Sequence, residues 1–319
     1  MPPGRNTTAG KRAAAPRDRA AREGPEAPPV ARYYGGNRSG NPGGSRGVVP
    51  PGLARARHLT KRAFRQRDHA FLAEGPQAVA EAFGCGSGVT DLFVTAPARN
   101  KHGDLVAAMA EAGIPVHVVS GEVMGELAQT VTPQGLLAVC RFVDVELAEV
   151  TRPALALVAL LANVRDPGNA GTVLRTADAA GADAVVFADA SVDPYNGKCV
   201  RASAGSLFHL PVVAGARLED AVTALREAGL RVVAADGRAG RSLDDPDVQA
   251  RLGEPTAWMF GNEAWGLPPG LVALADEAVA VPVYGKAESL NLAAAAAVCL
   301  YASARAQRVQ SVIRQGGYK

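Results

Sequence analysis

From residue 53 onward, apolar positions fall into short blocks of two alternating kinds. In 53–142, "VTDLFVTA", "IPVHVVS" and "GLLAVCRFV" are apolar runs of strand length. Between and before them lie "GPQAVAEAFG", "GDLVAAMAEAG" and "GEVMGELAQ", which predict helices; the second carries apolar residues three and four apart. A basic helix opens the segment in "LARARHLTKRAFRQRDHAFLAEG", and "ELAEVTRP" reads as a linker at its end. Residues 153–310 alternate more cleanly. Strands are predicted at 155–164, 184–189, 231–236, 256–261 and 278–283, and helices near 170–181, 195–204, 218–229, 268–275 and 290–309. Such alternation implies α/β domains with mainly parallel sheets. No internal repeat is present.

Composition adds a boundary. Residues 1–50 are rich in Gly, Pro, Arg and Ala and cannot bury enough apolar area to offset their ordering entropy, so disorder is expected there. The start lacks the apolar core of a secretory signal, and Pro and Gly oppose an amphipathic transit helix. No run of about 18 apolar residues predicts a membrane span. Cys85, Cys140, Cys199 and Cys299 lie far apart with no metal-ligand spacing, so no metal is expected and a reducing, cytoplasmic setting is.

Charge changes the picture more than composition. Residues 1–70 hold 15 Lys/Arg against 4 Asp/Glu, whereas 71–319 hold 19 against 27. A basic arm on an acidic body suits a polyanionic partner, and equally a solubilising tail. Arg interleaved with Tyr33, Tyr34 and Gly suits either a linker or an RNA-touching segment.

In an open parallel sheet, ligands bind beyond the C-terminal strand ends. Three of these ends carry polar residues in Gly-containing turns: "LANVRDPGNAGTVLRTADAAGA", "WMFGNEAWGLP" and "VAVPVYGKAESLNLAAAAAVCLY". The first has neither G-x-G-x-x-G nor G-K-[ST], and no acid stands where a dinucleotide fold needs one, so a Rossmann dehydrogenase is excluded. Singly, each polar residue has an ordinary role: Asn169 or Ser289 as a helix cap, Glu263 as a solvated carboxylate, Arg175 as a partner of Asp178. Three such loops in order along one sheet make a shared site the better reading.

Together these stretches resemble motifs 1, 2 and 3 of the SpoU/TrmH ribose 2′-O-methyltransferases of the SPOUT superfamily. The resemblance covers 153–310. Residues 53–142, ending in "TPQGLLAV", are similar to the ribosomal-protein-like substrate-binding domain that precedes many of these enzymes. The resemblance implies a trefoil-knotted α/β domain, S-adenosylmethionine as cofactor, RNA as substrate, and a homodimer whose active sites are completed across the interface. It implies catalytic roles for Asn169, Arg175, Glu263, Ser289 and Asn291. It places the cofactor against Gly261, Val281 and Leu290, with Ala235 and Gly237 in a further loop. Lys198 and Arg201 in "YNGKCVRASAGSLF" become candidate phosphate contacts.

A ribose hydroxyl must be aligned and lose its proton to be methylated. No His lies in the three motifs, and His209 in "LFHLPVV" reads as packing at a strand entrance. Arg175, whose guanidinium stays protonated, suits a two-pronged clamp on the target nucleotide's phosphate that orients the 2′-OH. The front domain favours 23S ribosomal RNA. Transfer RNA, a resistance methylation of ribosomal RNA, and a non-catalytic RNA-binding relative are the alternatives; the intact set of five polar residues argues against the last. Two departures stand out. "SLNLAAAAA" replaces the Val-Ser-Val run that follows the Asn in many relatives, and residues 1–50 lie outside the family pattern.

Overall fold

The computed structural model describes residues 32–34, 51–86, 88–151, 154–188 and 190–314. The expectation for 1–50 therefore lies outside the described residues except at 32–34. There it is corrected: Arg32–Tyr34 forms a strand, β1, because a free parallel edge of the first sheet offers its backbone partners.

The first sheet contains β1 (Arg32–Tyr34), β2 (Ala70–Glu74), β3 (Val89–Thr95), β4 (Val116–Val119) and β5 (Leu136–Arg141), in the order β1-β4-β3-β5-β2. It is mixed rather than mainly parallel: β5 runs antiparallel to both β3 and β2. β2 also escapes a periodicity reading, since its five residues follow directly on a basic helix and are all buried.

The second sheet contains β6 (Leu157–Ala162), β7 (Ala184–Ala188), β8 (Val212–Ala216), β9 (Arg231–Ala235), β10 (Thr256–Phe260) and β11 (Glu277–Val279). Its order is β11-β9-β10-β6-β7-β8 and every pairing is parallel. β6 and β10 are buried throughout, which explains their unbroken apolar sequence. Leu157, Ala159 and Leu161 face one core, and Val158, Leu160 and Ala162 face another. The strand predicted at 278–283 ends at Val279; Pro282 has no N–H to continue a ladder. β8 was not expected: "VVAGA" holds Gly215 at φ 78°, an interruption that hides the strand.

The chain leaves β6 on one side through β7 and β8, crosses to the other side at β9 and fills the place beside β6 with β10, so the strand order reverses at β6. That reversal is where open α/β sheets bind ligands. Past β11 the chain is laced to the loop after β9: Ala280 N–H donates to Arg241 O, and Leu243 N–H donates to Ala280 O. Residues 281–290 then cross the end of β10 to reach Asn291, which meets Asn169 on the β6 side. Helix Leu292–Arg314 follows and packs on β10 and on helix Pro167–Ala180.

The front domain is not held by a linker alone. Phe71, Leu92, Leu136 and Cys140 join Leu161, Leu174, Tyr195 and Trp258 in one continuous core. Arg65 and Asp193, both buried, pair through Nε at 3.0 Å and Nη2 at 2.7 Å. Arg65 also donates to Leu59 O and Thr60 O. The Tyr195 ring stacks on Phe142 at 3.8 Å, and its hydroxyl accepts the Val143 and Asp144 N–H groups. The "ELAEVTRP" segment contains one helical turn, Leu147–Val150, closed by reciprocal bonds between Glu146 and Glu149.

Candidate active site

Helix Pro167–Ala180 starts where β6 ends, and its cap sets the site. Asp166, not Asn169, is the N-cap: its Oδ1 accepts the Asn169 N–H at 2.8 Å, with Pro167 at the first helical position. Asp166-Pro167 is the sequence signal that identifies this cap. Lys198 Nζ lies 2.6 Å from Asp166 Oδ2 and, with the Asn169 N–H, holds that carboxyl below the usual carboxylate range. Lys198 thus braces the helix start.

Asn169, released from capping, turns its side chain to the other loops. Glu263 Oε1 accepts from Asn169 Nδ2 at 3.4 Å and from Asp166 N–H at 3.0 Å; its Oε2 accepts Arg165 N–H at 3.2 Å. Asn169 Oδ1 in turn accepts from Asn291 Nδ2 at 3.1 Å. Asn291 Oδ1 accepts the Ala293 N–H, opening the last helix. One line of side chains, Glu263–Asn169–Asn291, therefore joins the loops after β10, β6 and β11. Three polar residues separated by up to 122 positions meet here.

Two further asparagines, absent from the expected set, lock this arrangement. Asn262, buried, donates Nδ2–H to Asn163 O at 3.1 Å and accepts the Ala264 N–H. Asn163 sits at φ 59°, a left-handed conformation that Asn tolerates better than most residues.

Two expected site residues stand apart in the single chain. Arg175 is exposed, and its side chain makes no hydrogen bond or ion pair with another described residue. Asp178, its expected helix partner, instead bonds His209 Nδ1 at 2.8 Å. Six residues beyond Asn169, Arg175 points about 240° round the helix and lies about 9 Å along its axis. Ser289 is exposed and caps nothing, because Asn291 has taken that position. Arg201 pairs with Glu74 of the front domain at 3.0 Å.

The residues expected on the cofactor side lie in a second group of turns. Gly261 follows β10, and a Cβ there would lie 2.6 Å from the Gly266 backbone and 2.7 Å from Leu267 Cγ. The glycine is needed for the loop to fold on itself, with Asn262 and Gly266 exchanging backbone bonds. Ala235 ends β9; in the next loop, Arg238 donates to Leu267 O at 2.6 Å and ties the Gly237 turn to the Gly261 turn. Val281 is half-buried and Leu290 exposed. Between them no backbone N–H or C=O of 281–290 pairs with another described residue. A chain segment with free peptide edges beside apolar side chains fits a purine, which has polar edges and apolar faces. Val281, Leu290 and the Gly261 and Gly237 turns would hold the cofactor there. Among the described residues there is no cluster of three or more His, Cys, Asp or Glu side chains able to hold a metal.

Residues 156–301 match the SpoU rRNA Methylase family, and residues 51–138 match the MRM3-like substrate binding domain. The chain is 36% identical over 239 residues to the Bacillus subtilis (strain 168) 23S rRNA (guanosine(2553)-2′-O)-methyltransferase RlmP, covering 74% of this chain and 89% of that protein. It belongs to the SpoU rRNA methylase family. It is by that membership an S-adenosylmethionine-dependent RNA ribose 2′-O-methyltransferase with the SPOUT fold. The 23S rRNA (guanosine-2′-O-)-methyltransferase RlmB of Bordetella pertussis (strain Tohama I) is 33% identical over 224 residues, covering 68% of this chain and 89% of that protein. The crystal structure of an AdoMet-bound rRNA methyltransferase from Sinorhizobium meliloti has a TM-score of 0.68 at 30% identity, covering 80% and 94% of the two chains. The SpoU methyltransferase AviRb from Streptomyces viridochromogenes, solved with AdoMet, has a TM-score of 0.69 at 28% identity, covering 82% of this chain and 100% of that one.

Proposed function

We propose that this methyltransferase modifies a ribose 2′-OH in 23S ribosomal RNA, acting as a homodimer in the cytoplasm. The observation that carries the reading is the Glu263–Asn169–Asn291 line, which gathers three strand-end loops at one point beside the cofactor-side turns. The substrate class rests on RlmP and RlmB, whose names specify 23S rRNA, and on a front domain sharing its core with the catalytic domain.

The bound sulfonium supplies the methyl group. The protein's own residues supply alignment. Glu263 fixes the start of helix Pro167–Ala180 and the Asn169 amide, and Asn169 and Asn291 present polar groups to the ribose. Arg175 clamps the target phosphate and orients the 2′-OH, whose proton leaves to phosphate or water. Ser289 adds a hydroxyl from the loop after β11. Lys198 contacts RNA only beyond its role at Asp166.

The dimer is supported by exposed apolar surface. Val298, Tyr301, Val309 and Val312 form one stripe on the last helix, which packs beside the helix carrying Arg175. Trp265 (55% exposed) and Tyr284 (86%) extend apolar surface onto the site loops. A partner covering this stripe brings its own Arg175 towards the neighbouring site, which accounts for an arginine directed away from its own polar line.

The test is a map of ribose methylation in 23S rRNA from cells with and without the gene. One mark should vanish, return with the wild-type gene and stay absent with Arg175→Ala. A mark lost from transfer RNA alone overturns the substrate reading.

A further inference from the structure

The active site shares a short helix with a polar cavity that the reaction has not used. Helix Gly197–Ala202 touches the Asp166 cap through Lys198. Three residues on, and about 4.5 Å along the axis, Arg201 enters a cavity of about 250 Å³ between this helix and the front domain.

The cavity's charged floor is built rather than incidental. The Glu74 side chain is only 7% exposed and accepts from Arg201 Nη1 at 3.0 Å, from Gln129 N–H at 3.1 Å and from the Thr130 hydroxyl. This leaves most of the five guanidinium N–H donors of Arg201 uncommitted at the cavity wall. Gln77 donates its amide to Ala204 O, which leaves its carbonyl oxygen free. The side chains of Thr132 and Gln134 line the cavity and make no hydrogen bond to another described residue. Both donors and acceptors therefore line the opening.

Resting on the ribosomal RNA reading above, we propose that this cavity is a specificity pocket for one unstacked nucleobase flanking the methylated nucleotide. A phosphate is a poor occupant, because the Glu74 carboxylate already neutralises Arg201. A neutral base edge matches the mixed set of donors and acceptors. Sequence-specific RNA recognition works through such splayed bases in single-stranded segments. The pocket's place on the helix that braces Asp166 fixes its distance from the reacting ribose.

The experiment measures KM and kcat on the 23S rRNA fragment carrying the mapped site. It compares wild type with Thr132→Val and Gln134→Ala. Both residues are exposed, line the cavity and lie outside the catalytic line, so folding is not at stake. Each is expected to raise KM about 3- to 10-fold, the scale of one lost contact, with S-adenosylmethionine affinity unchanged. An abasic nucleotide at the recognised flanking position should raise KM for wild type, with little further effect in Gln134→Ala, since contact and base are then already lost. Unchanged KM in both variants, with wild type methylating the fragment, overturns the pocket alone. Equal abasic effects in wild type and Gln134→Ala also overturn it. Failure of wild type to methylate any 23S fragment overturns the substrate reading and the pocket with it.

Discussion

Replacing Glu263 by glutamine isolates the carboxylate that organises the site. Three N–H donors converge on it, from Arg165, Asp166 and the Asn169 amide. Glutamine keeps one carbonyl oxygen. If that oxygen serves Asp166 and Asn169, the new NH2 faces the Arg165 N–H, donor against donor. A hydrogen bond to a charged acceptor contributes about 1.5–3 kcal/mol, and a negative charge at a helix N-terminus about 0.3–1 kcal/mol. Glu263 is exposed, so water replaces part of the loss and the expected cost is about 1–2 kcal/mol. With a urea slope of about 3 kcal/mol/M, the unfolding midpoint falls by about 0.3–0.7 M. The same change frees the Asn169 amide, so kcat should drop at least about tenfold while S-adenosylmethionine affinity stays within about twofold. Asn169→Ala should lower kcat similarly, and the double variant should fall short of the product of the two effects, because both residues act in one line. A Glu263→Gln enzyme with wild-type midpoint and turnover would refute this account of the carboxylate.

Other consequences follow from the same geometry. Arg175→Ala should abolish methyl transfer while calorimetry still detects S-adenosylmethionine binding and urea unfolding is unchanged, since the side chain is exposed and makes no hydrogen bond or ion pair with another described residue; near-normal turnover would remove it from the mechanism. Asp193→Asn should destabilise the fold by about 3–5 kcal/mol, because it leaves Arg65 buried without its counter-charge, whereas Arg65→Met with Asp193→Leu should recover much of that loss in thermal unfolding. His209 lies between Asp178 and Glu81, and the Asp178 bond leads in raising its pKa against the smaller opposing effect of burial. Its stabilisation is complete below the unfolded value of about 6.5 and declines as pH rises through the higher folded value. Wild type should therefore exceed His209→Gln in urea midpoint at pH 5.5 and lose that advantage by pH 9, with a difference under about 1 kcal/mol at this exposure.

The sequence by itself determined most strands of the second sheet and the three strand-end loops where chemistry is proposed, while β2 and β8 were left to the structure. β6 and β10 are unbroken apolar runs because both faces are buried, and their ends are marked by Pro, Gly and Asn in the turns that follow. The three strand-end motifs fixed the family and the identities of Asn169, Glu263 and Asn291. The structure decided what each of them does. Periodicity reports only neighbours three or four residues away, and it set Asn169 as a possible cap and Arg175 beside Asp178. Strand order sets β10 beside β6 across about a hundred residues, and the segment after β11 returns to them; the tertiary arrangement gives the cap to Asp166, turns Asn169 towards Glu263 and Asn291, and leaves Arg175 outward. The same folding docks Glu74 on Arg201 and Asp193 on Arg65, pairs 127 and 128 residues apart. No local pattern encodes them, because each depends on which face of the front domain meets the catalytic core.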